Sequence, residues 1–192
     1  MNEGVMHRAR PASIGRATLL AVALLLPATA SPAAGVAGKE EGAIRAVFPA
    51  ADEIMAKDVI LTDEMVGRIE RLARARVRER LVTFYTARRA GDVLGYAVIH
   101  SHVVRTKRET LSLAFEPDGR LRKITVLAFL EPSEYRPSDR WLAQFGGKGG
   151  GDRLAVGQDI APISGATLTA RGVAEESRWL LQALREAMGV GR

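Results

Sequence analysis

The chain has 192 residues, of which 47% are hydrophobic, and it carries a formal net charge of +6. This composition fits one globular domain with a small surplus and excludes a wholly disordered chain. The sequence contains no cysteine, which excludes disulfides, thiolate zinc sites, cysteine-ligated iron–sulfur clusters and covalent c-type haem. The arginines are mostly interleaved with acidic residues, which favours a solvated surface over binding to nucleic acid.

Residues 1–30 have the pattern of an export signal. Three arginines precede an apolar run at residues 17–30, and Ala28-Thr29-Ala30 fits the small-x-small cleavage rule. The run is shorter than the roughly 20 apolar residues that a membrane span requires. A buried N-terminal helix and an uncleaved membrane anchor are the alternatives. A signal or an anchor would place the folded part in the periplasm, either free or attached to the inner membrane.

A lead-in segment at residues 31–55 is expected to precede one domain at residues 56–190. Thr62 has the character of a helix N-cap, because two acidic residues follow it and suit the helix dipole. Apolar residues then recur at helical spacing, which predicts a helix that runs to about Arg78.

Four strand-like segments follow, and turn residues separate them. Short connections between neighbouring strands imply antiparallel hairpins. A short helix is expected at residues 138–145 and a last helix from about Thr169 to Met188. The fold class is therefore predicted as α+β, a single domain with an antiparallel sheet of about four strands and helices packed on it. The strands are predicted at residues 81–87, 93–104, 109–116 and 121–129.

The segment from Asp159 to Thr169 leads into that last helix and is rich in small and hydroxyl residues. Small residues permit close backbone approach, and a helix N-terminus offers free N–H groups and partial positive charge to a phosphate. A hydroxyl at this point is well placed to hold a phosphate ester. The simpler alternative is that Ser164, Thr167 or Thr169 only caps the helix.

Ser164-Gly165-Ala166-Thr167-Leu168-Thr169 resembles the flavinylation signature of FMN-binding domains. These domains occur in subunits of the sodium-pumping quinone reductase, in related membrane electron-transfer complexes and in small exported flavoproteins. Residues 127–132, 141–148 and 95–98 are also similar to the small exported members. The resemblance covers about residues 55–188.

The resemblance implies that FMN is joined covalently to Thr167 by a flavin transferase that uses FAD and magnesium. It also implies an electron-transfer flavoprotein that serves a membrane or periplasmic redox partner, rather than a self-contained enzyme. The commonest signature has an aspartate six residues before the acceptor threonine, where this chain has Ala161 and where Asp159 is the nearest acid. The cofactor-binding residues are predicted as Thr167, Ser164, Gly165, Ala166, Leu168, Thr169, Glu131 and Trp141.

Two alternatives to this function stay open. One is an exported module that binds FMN without a covalent bond and acts as a sensor or assembly subunit. The other is a structural periplasmic domain without flavin, or a basic module that binds anionic lipid. His100 and His102 lie two residues apart on one strand, a spacing that can hold a metal. Because the sequence shows no third ligand nearby, we predict a polar sheet face and no metal site.

Overall fold

The computed structural model of the chain describes Met1 and residues 38–191. Within this part of the chain, the predicted α+β class is confirmed, with five strands and four α-helices. Short 3₁₀ turns lie at Ser133–Tyr135 and Ala143–Phe145. The helices are α1 (Gly38–Val47), α2 (Asp63–Ala73), α3 (Asp139–Leu142) and α4 (Thr167–Met188), and the strands are β1 (Glu53–Ile60), β2 (Leu81–Arg89), β3 (Asp92–Val103), β4 (Arg108–Phe115) and β5 (Leu121–Phe129).

The sheet is an antiparallel meander in the order β1-β2-β3-β4-β5. The four strands from β2 to β5 are those that the sequence predicts, because alternating side chains and short turns are local signals. β1 is an additional edge strand that pairs with β2. Part of it falls in the predicted lead-in segment. None of its side chains is fully buried. Its sequence also lacks a clear alternation of apolar and polar residues.

Helices cover both faces of the sheet. The larger core lies on the face packed against α2, α3 and α4, and it includes Phe84, Leu111, Leu113, Phe145 and Trp179. The opposite face carries a smaller cluster, in which Ile44 of α1 and the nearby Phe48 pack on Ala97 and Ala114 of the sheet. Both faces of the central strands are therefore buried, which removes apolar surface from water on each side.

Two helix boundaries differ from the sequence prediction. α2 ends at Ala73 rather than near Arg78, because Arg74 has a left-handed conformation with φ of 49°. Residues 74–80 instead form an irregular connection to β2, and Glu70 accepts a hydrogen bond of 3.0 Å from the backbone N–H of Val77 there. α4 begins at Thr167 rather than at Thr169, which places Thr167 in its first turn.

The predicted signal at residues 1–30 lies outside the described residues, apart from Met1. No helix in the described part of the chain has the length and hydrophobicity of a transmembrane segment.

Candidate functional site

The N-terminus of α4 begins at an exposed threonine. Ala166 is the N-cap, with φ of −121°, and no side chain accepts a hydrogen bond from the first turn. The alternative in which Ser164, Thr167 or Thr169 caps this helix is therefore wrong. The first N–H groups of an α-helix have no intrahelical partner and carry partial positive charge. Thr167 is exposed at this point, whereas Thr169 is buried.

A cavity of about 180 Å³ lies beside this helix end. Arg105, next to the β3–β4 turn, and Tyr135, in a 3₁₀ turn, line its other side. The cavity brings together six of the eight predicted cofactor-binding residues, namely Gly165, Ala166, Thr167, Leu168, Thr169 and Glu131. Ser164 is exposed and directly precedes this group. Trp141 lies elsewhere, buried in the larger core.

Glu131 organises the turn between β3 and β4. Its Oε1 accepts hydrogen bonds from the backbone N–H groups of Arg105 at 3.2 Å, Thr106 at 2.6 Å and Lys107 at 2.7 Å. The bonds from Thr106 and Lys107 do most to hold the pKa of Glu131 below its usual value. The carboxylate thereby fixes the backbone of the turn at Arg105, a residue that lines the cavity and whose guanidinium is of a type that suits an anionic ligand.

Trp141 contacts the segment that precedes α4. Its indole Nε1–H donates a hydrogen bond of 2.7 Å to the carbonyl oxygen of Ala161. The Oε1 of Gln144 accepts a hydrogen bond of 2.8 Å from the N–H of the same residue. Both polar groups of the Ala161 backbone are therefore held from the α3 region, while its side chain is exposed.

Asp159 is the nearest acid to the position where the signature usually has aspartate, and its oxygens bind the local loop. Oδ1 accepts a 2.7 Å hydrogen bond from the N–H of Ala155, and Oδ2 accepts a 2.9 Å bond from that of Leu154. Lys148 also lies 3.4 Å from Oδ2. Burial opposes ionisation, but these hydrogen bonds and the lysine lower the pKa of Asp159 overall. Its carboxylate therefore stabilises residues 154–159.

A second cavity, of about 410 Å³, lies between the Gly149–Asp152 loop and α4. Arg74, Arg153 and Arg178 are among the residues that line it. Arg178 donates a 2.8 Å hydrogen bond to the carbonyl oxygen of Leu154, and burial lowers the pKa of its guanidinium. This basic cavity shares no lining residue with the cavity at Thr167, so each can be tested separately.

Sequence reasoning missed one further group. His100 and His102 lie on the sheet face that α4 covers, and both are buried, with exposed fractions of 3% and 6%. The polar sheet face predicted at His100 and His102 is therefore buried beneath α4. Glu176 of α4, which is 1% exposed, meets them. No local pattern could have indicated this contact, because the glutamate comes from a helix far along the chain.

Comparison of the chain with protein-family models and with curated protein sequences finds no match.

Proposed function

We propose that this protein is an exported redox carrier that holds FMN through a phosphoester bond to Thr167. The observation that carries the proposal is the exposed Thr167 in the uncapped first turn of α4, beside a cavity with Arg105 on its rim. A phosphodiester there would meet backbone N–H donors and a guanidinium. The likeness of residues 164–169 to the flavinylation signature supports FMN as the ligand.

The attachment step uses the hydroxyl of this chain as the nucleophile. The Oγ1 of Thr167 attacks the FMN-side phosphorus of FAD, the P–O bond of the pyrophosphate breaks, and AMP leaves. The hydroxyl proton passes to the flavin transferase, which also supplies the magnesium and the catalytic groups. The present protein is therefore the substrate of that enzyme.

The size of the cavity favours a surface position for the ring. Sites that enclose a whole small-molecule ligand measure roughly 300–1,000 Å³, and the cavity at Thr167 measures about 180 Å³. It can take the phosphate and part of the ribityl chain, while the ring lies outside against Leu168, which is 52% exposed. When bound, FMN would supply the redox chemistry, and a ring at the surface can exchange electrons with a membrane or periplasmic partner.

The test is the intact mass of the chain after coexpression and export with a flavin transferase. We expect an added mass of one FMN less one water, and fluorescence that stays with the protein band in a denaturing gel. Thr167→Ala should lose both signals, Thr167→Ser should keep them in part because it retains a hydroxyl, and Thr83→Ala, at a threonine of β2, should keep them fully. An unmodified mass for the unaltered chain would overturn the proposal.

A non-covalent ligand is the second candidate, and the basic cavity at Arg178 favours it. Three arginines in one cavity attract an anion such as a flavin phosphate. In that case the yellow colour would be lost on denaturation and Thr167→Ala would keep it, whereas Arg178→Gln would weaken binding. The same samples therefore separate the two candidates.

A further inference from the structure

We propose that His100, His102 and Glu176 form a buried site for one divalent transition-metal ion of the zinc type. This trio, called the His–Glu cluster below, joins strand β3 to helix α4. Each member can direct one ligand atom to a shared point, since these atoms all lie within 4.8 Å of one another. Two imidazoles and one carboxylate are a donor set that zinc accepts in proteins.

The contact between His100 and Glu176 is close. The Nε2 of His100 lies 2.9 Å from Oε2 of Glu176, yet by its geometry this nitrogen has no hydrogen-bond partner among the described residues. Two ligands at a tetrahedral angle, each about 2.0–2.1 Å from one zinc ion, lie roughly 3.4 Å apart. The two atoms would therefore need to separate only slightly to hold an ion between them.

The Nδ1 of His100 contacts a carboxylate, which is a common partner for the second ring nitrogen of a metal-binding histidine. This Nδ1 lies 2.7 Å from Oε1 of Glu79. An ionised carboxylate only accepts hydrogen bonds, so Nδ1 carries the proton and donates it. A bound ion would displace any proton on Nε2, and the lone pair of this nitrogen would then face the ion beside Glu176. A carboxylate that orients a histidine in this way is common around metal ligands.

Glu176 is also held in place. Its Oε1 accepts a 2.9 Å hydrogen bond from Nε of Arg78, and its Oε2 accepts one from the indole N–H of Trp179. The side chains of Arg78 and Glu79 are 58% and 49% exposed, so the cluster lies one side chain below the surface. Movement of these two residues, in the irregular connection before β2, would open a path for an ion.

His102 and Glu109 supply buried polar atoms without a hydrogen-bond partner among the described residues. They face each other across β3 and β4, with Nε2 of His102 3.3 Å from Oε2 of Glu109. Both ring nitrogens of His102 and both oxygens of Glu109 lack a hydrogen bond. Buried polar groups are rarely left in this state. One nitrogen of His102 would bind the ion, and Glu109 would accept a hydrogen bond from a water in the fourth position.

The charges and the packing also suit a cation. Three carboxylates (Glu79, Glu109 and Glu176) surround the two histidines, with Arg78 as the neighbouring cation on Glu176. A divalent ion would offset the cost of burying the carboxylates of Glu109 and Glu176. Gly172 of α4 allows the approach of His102, since a Cβ at that position would lie 2.9 Å from Nε2.

The test is titration of the full chain, without an affinity tag and stripped by a chelator, with Zn²⁺ in a calorimeter. We expect one ion per chain. At a free Zn²⁺ concentration of 100 times Kd, we expect Tm to rise by roughly 8 °C. Glu176→Gln and His102→Asn should each weaken binding at least about tenfold, a modest expectation because outer-sphere changes alone cost this much. The matched control Glu175→Gln, at the half-buried neighbouring glutamate, should bind as the unaltered chain does.

Two further readouts keep the result decisive if a variant fails to fold. Co²⁺ added to the unaltered chain should give visible absorption bands of a four- or five-coordinate ion, and Zn²⁺ should abolish them. Thr167→Ala should bind Zn²⁺ normally, so failure of the proposed flavin attachment leaves this site intact. Absence of a one-to-one Zn²⁺ isotherm and of the Co²⁺ bands in the unaltered chain would overturn the inference and leave a buried polar cluster without metal.

Discussion

The indole Nε1–H of Trp141 donates a 2.7 Å hydrogen bond to the carbonyl oxygen of Ala161. This bond joins α3 to the segment that carries Thr167, six residues after Ala161 and at the start of α4. Trp141 is one of the residues that are predicted from the sequence to bind the cofactor. Its contacts instead favour an indirect role, in which the ring is packed against Phe145 and the N–H fixes the path of the acceptor segment.

Replacement of Trp141 by phenylalanine tests this indirect role. Trp141→Phe keeps an aromatic ring but removes the donor, so we expect a loss of roughly 1–3 kcal/mol in the free energy of unfolding and less covalent flavin per chain. Urea denaturation and intact mass measure the two effects. Phe145→Leu, which reduces core volume without removing a hydrogen bond, should lower stability and leave the flavin content of the folded protein unchanged. If Trp141→Phe and Phe145→Leu carried equal amounts of flavin per folded chain, the indirect role of Trp141 would be contradicted.

The loop at residues 154–159 should make stability depend on pH through Asp159. Its folded-state pKa lies below the ordinary value, since hydrogen bonds from Ala155 and Leu154 outweigh the opposing effect of burial. The unfolded chain therefore binds the proton more readily, and the stabilisation is complete above the ordinary pKa of about 4 and is lost as pH falls through the folded value.

Asp159→Asn should accordingly cost roughly 1–2 kcal/mol at pH 7, because the amide cannot replace both accepting oxygens. The difference between the two proteins should shrink as the pH falls below about 4. Urea midpoints at a series of pH values measure it. A difference that stays constant down to pH 2 would show that ionisation of this carboxylate does not stabilise the loop.

The close contact of α1 with the sheet depends on Gly95. A Cβ at this position would lie 2.3 Å from the carbonyl oxygen of Phe115 and 2.6 Å from Cε1 of Phe48. We therefore expect Gly95→Ala to destabilise the protein by about 3 kcal/mol. Gly42→Ala, where an added Cβ meets nothing within 4 Å, is the matched control and should be neutral or slightly stabilising. Thermal unfolding of both variants gives the comparison.

The sequence predicts those parts of this protein that depend on local patterns. The hairpins from β2 to β5 could be predicted because alternation and turn residues lie within a few positions of each other. β1 was not predicted because an edge strand with half-buried side chains lacks that alternation. The meeting of His102 and Glu176 was not predictable at all, since it requires the register of β3 and the rotation of α4 together.

The residues around the cavity at Thr167 also fall into two groups. Some can be predicted from local sequence patterns, and others come together only when the chain folds. The position of the Thr167 hydroxyl at the start of a helix can be predicted from neighbouring residues, and the motif points to this threonine. The contribution of Arg105 depends on Glu131, whose Oε1 gathers three N–H groups of the β3–β4 turn. That carboxylate reaches across from the end of β5, so its effect on the cavity appears only once the strands are paired.

The departure of this chain from the common signature at Ala161 leads to the last prediction. The side chain of Ala161 is exposed, and its backbone is already fixed by Trp141 and Gln144. An aspartate there would point into solvent without loss of these hydrogen bonds, so Ala161→Asp should fold with a stability within about 0.5 kcal/mol of the unaltered chain.

If a flavin transferase recognises the signature, Ala161→Asp should raise the fraction of chains that carry FMN after a short coexpression. Ala143→Asp, at another exposed alanine, adds the same charge outside the signature and should leave that fraction unchanged. Intact mass measures both, and an equal rise in the two variants would mean that added negative charge, rather than the position of the aspartate, governs attachment.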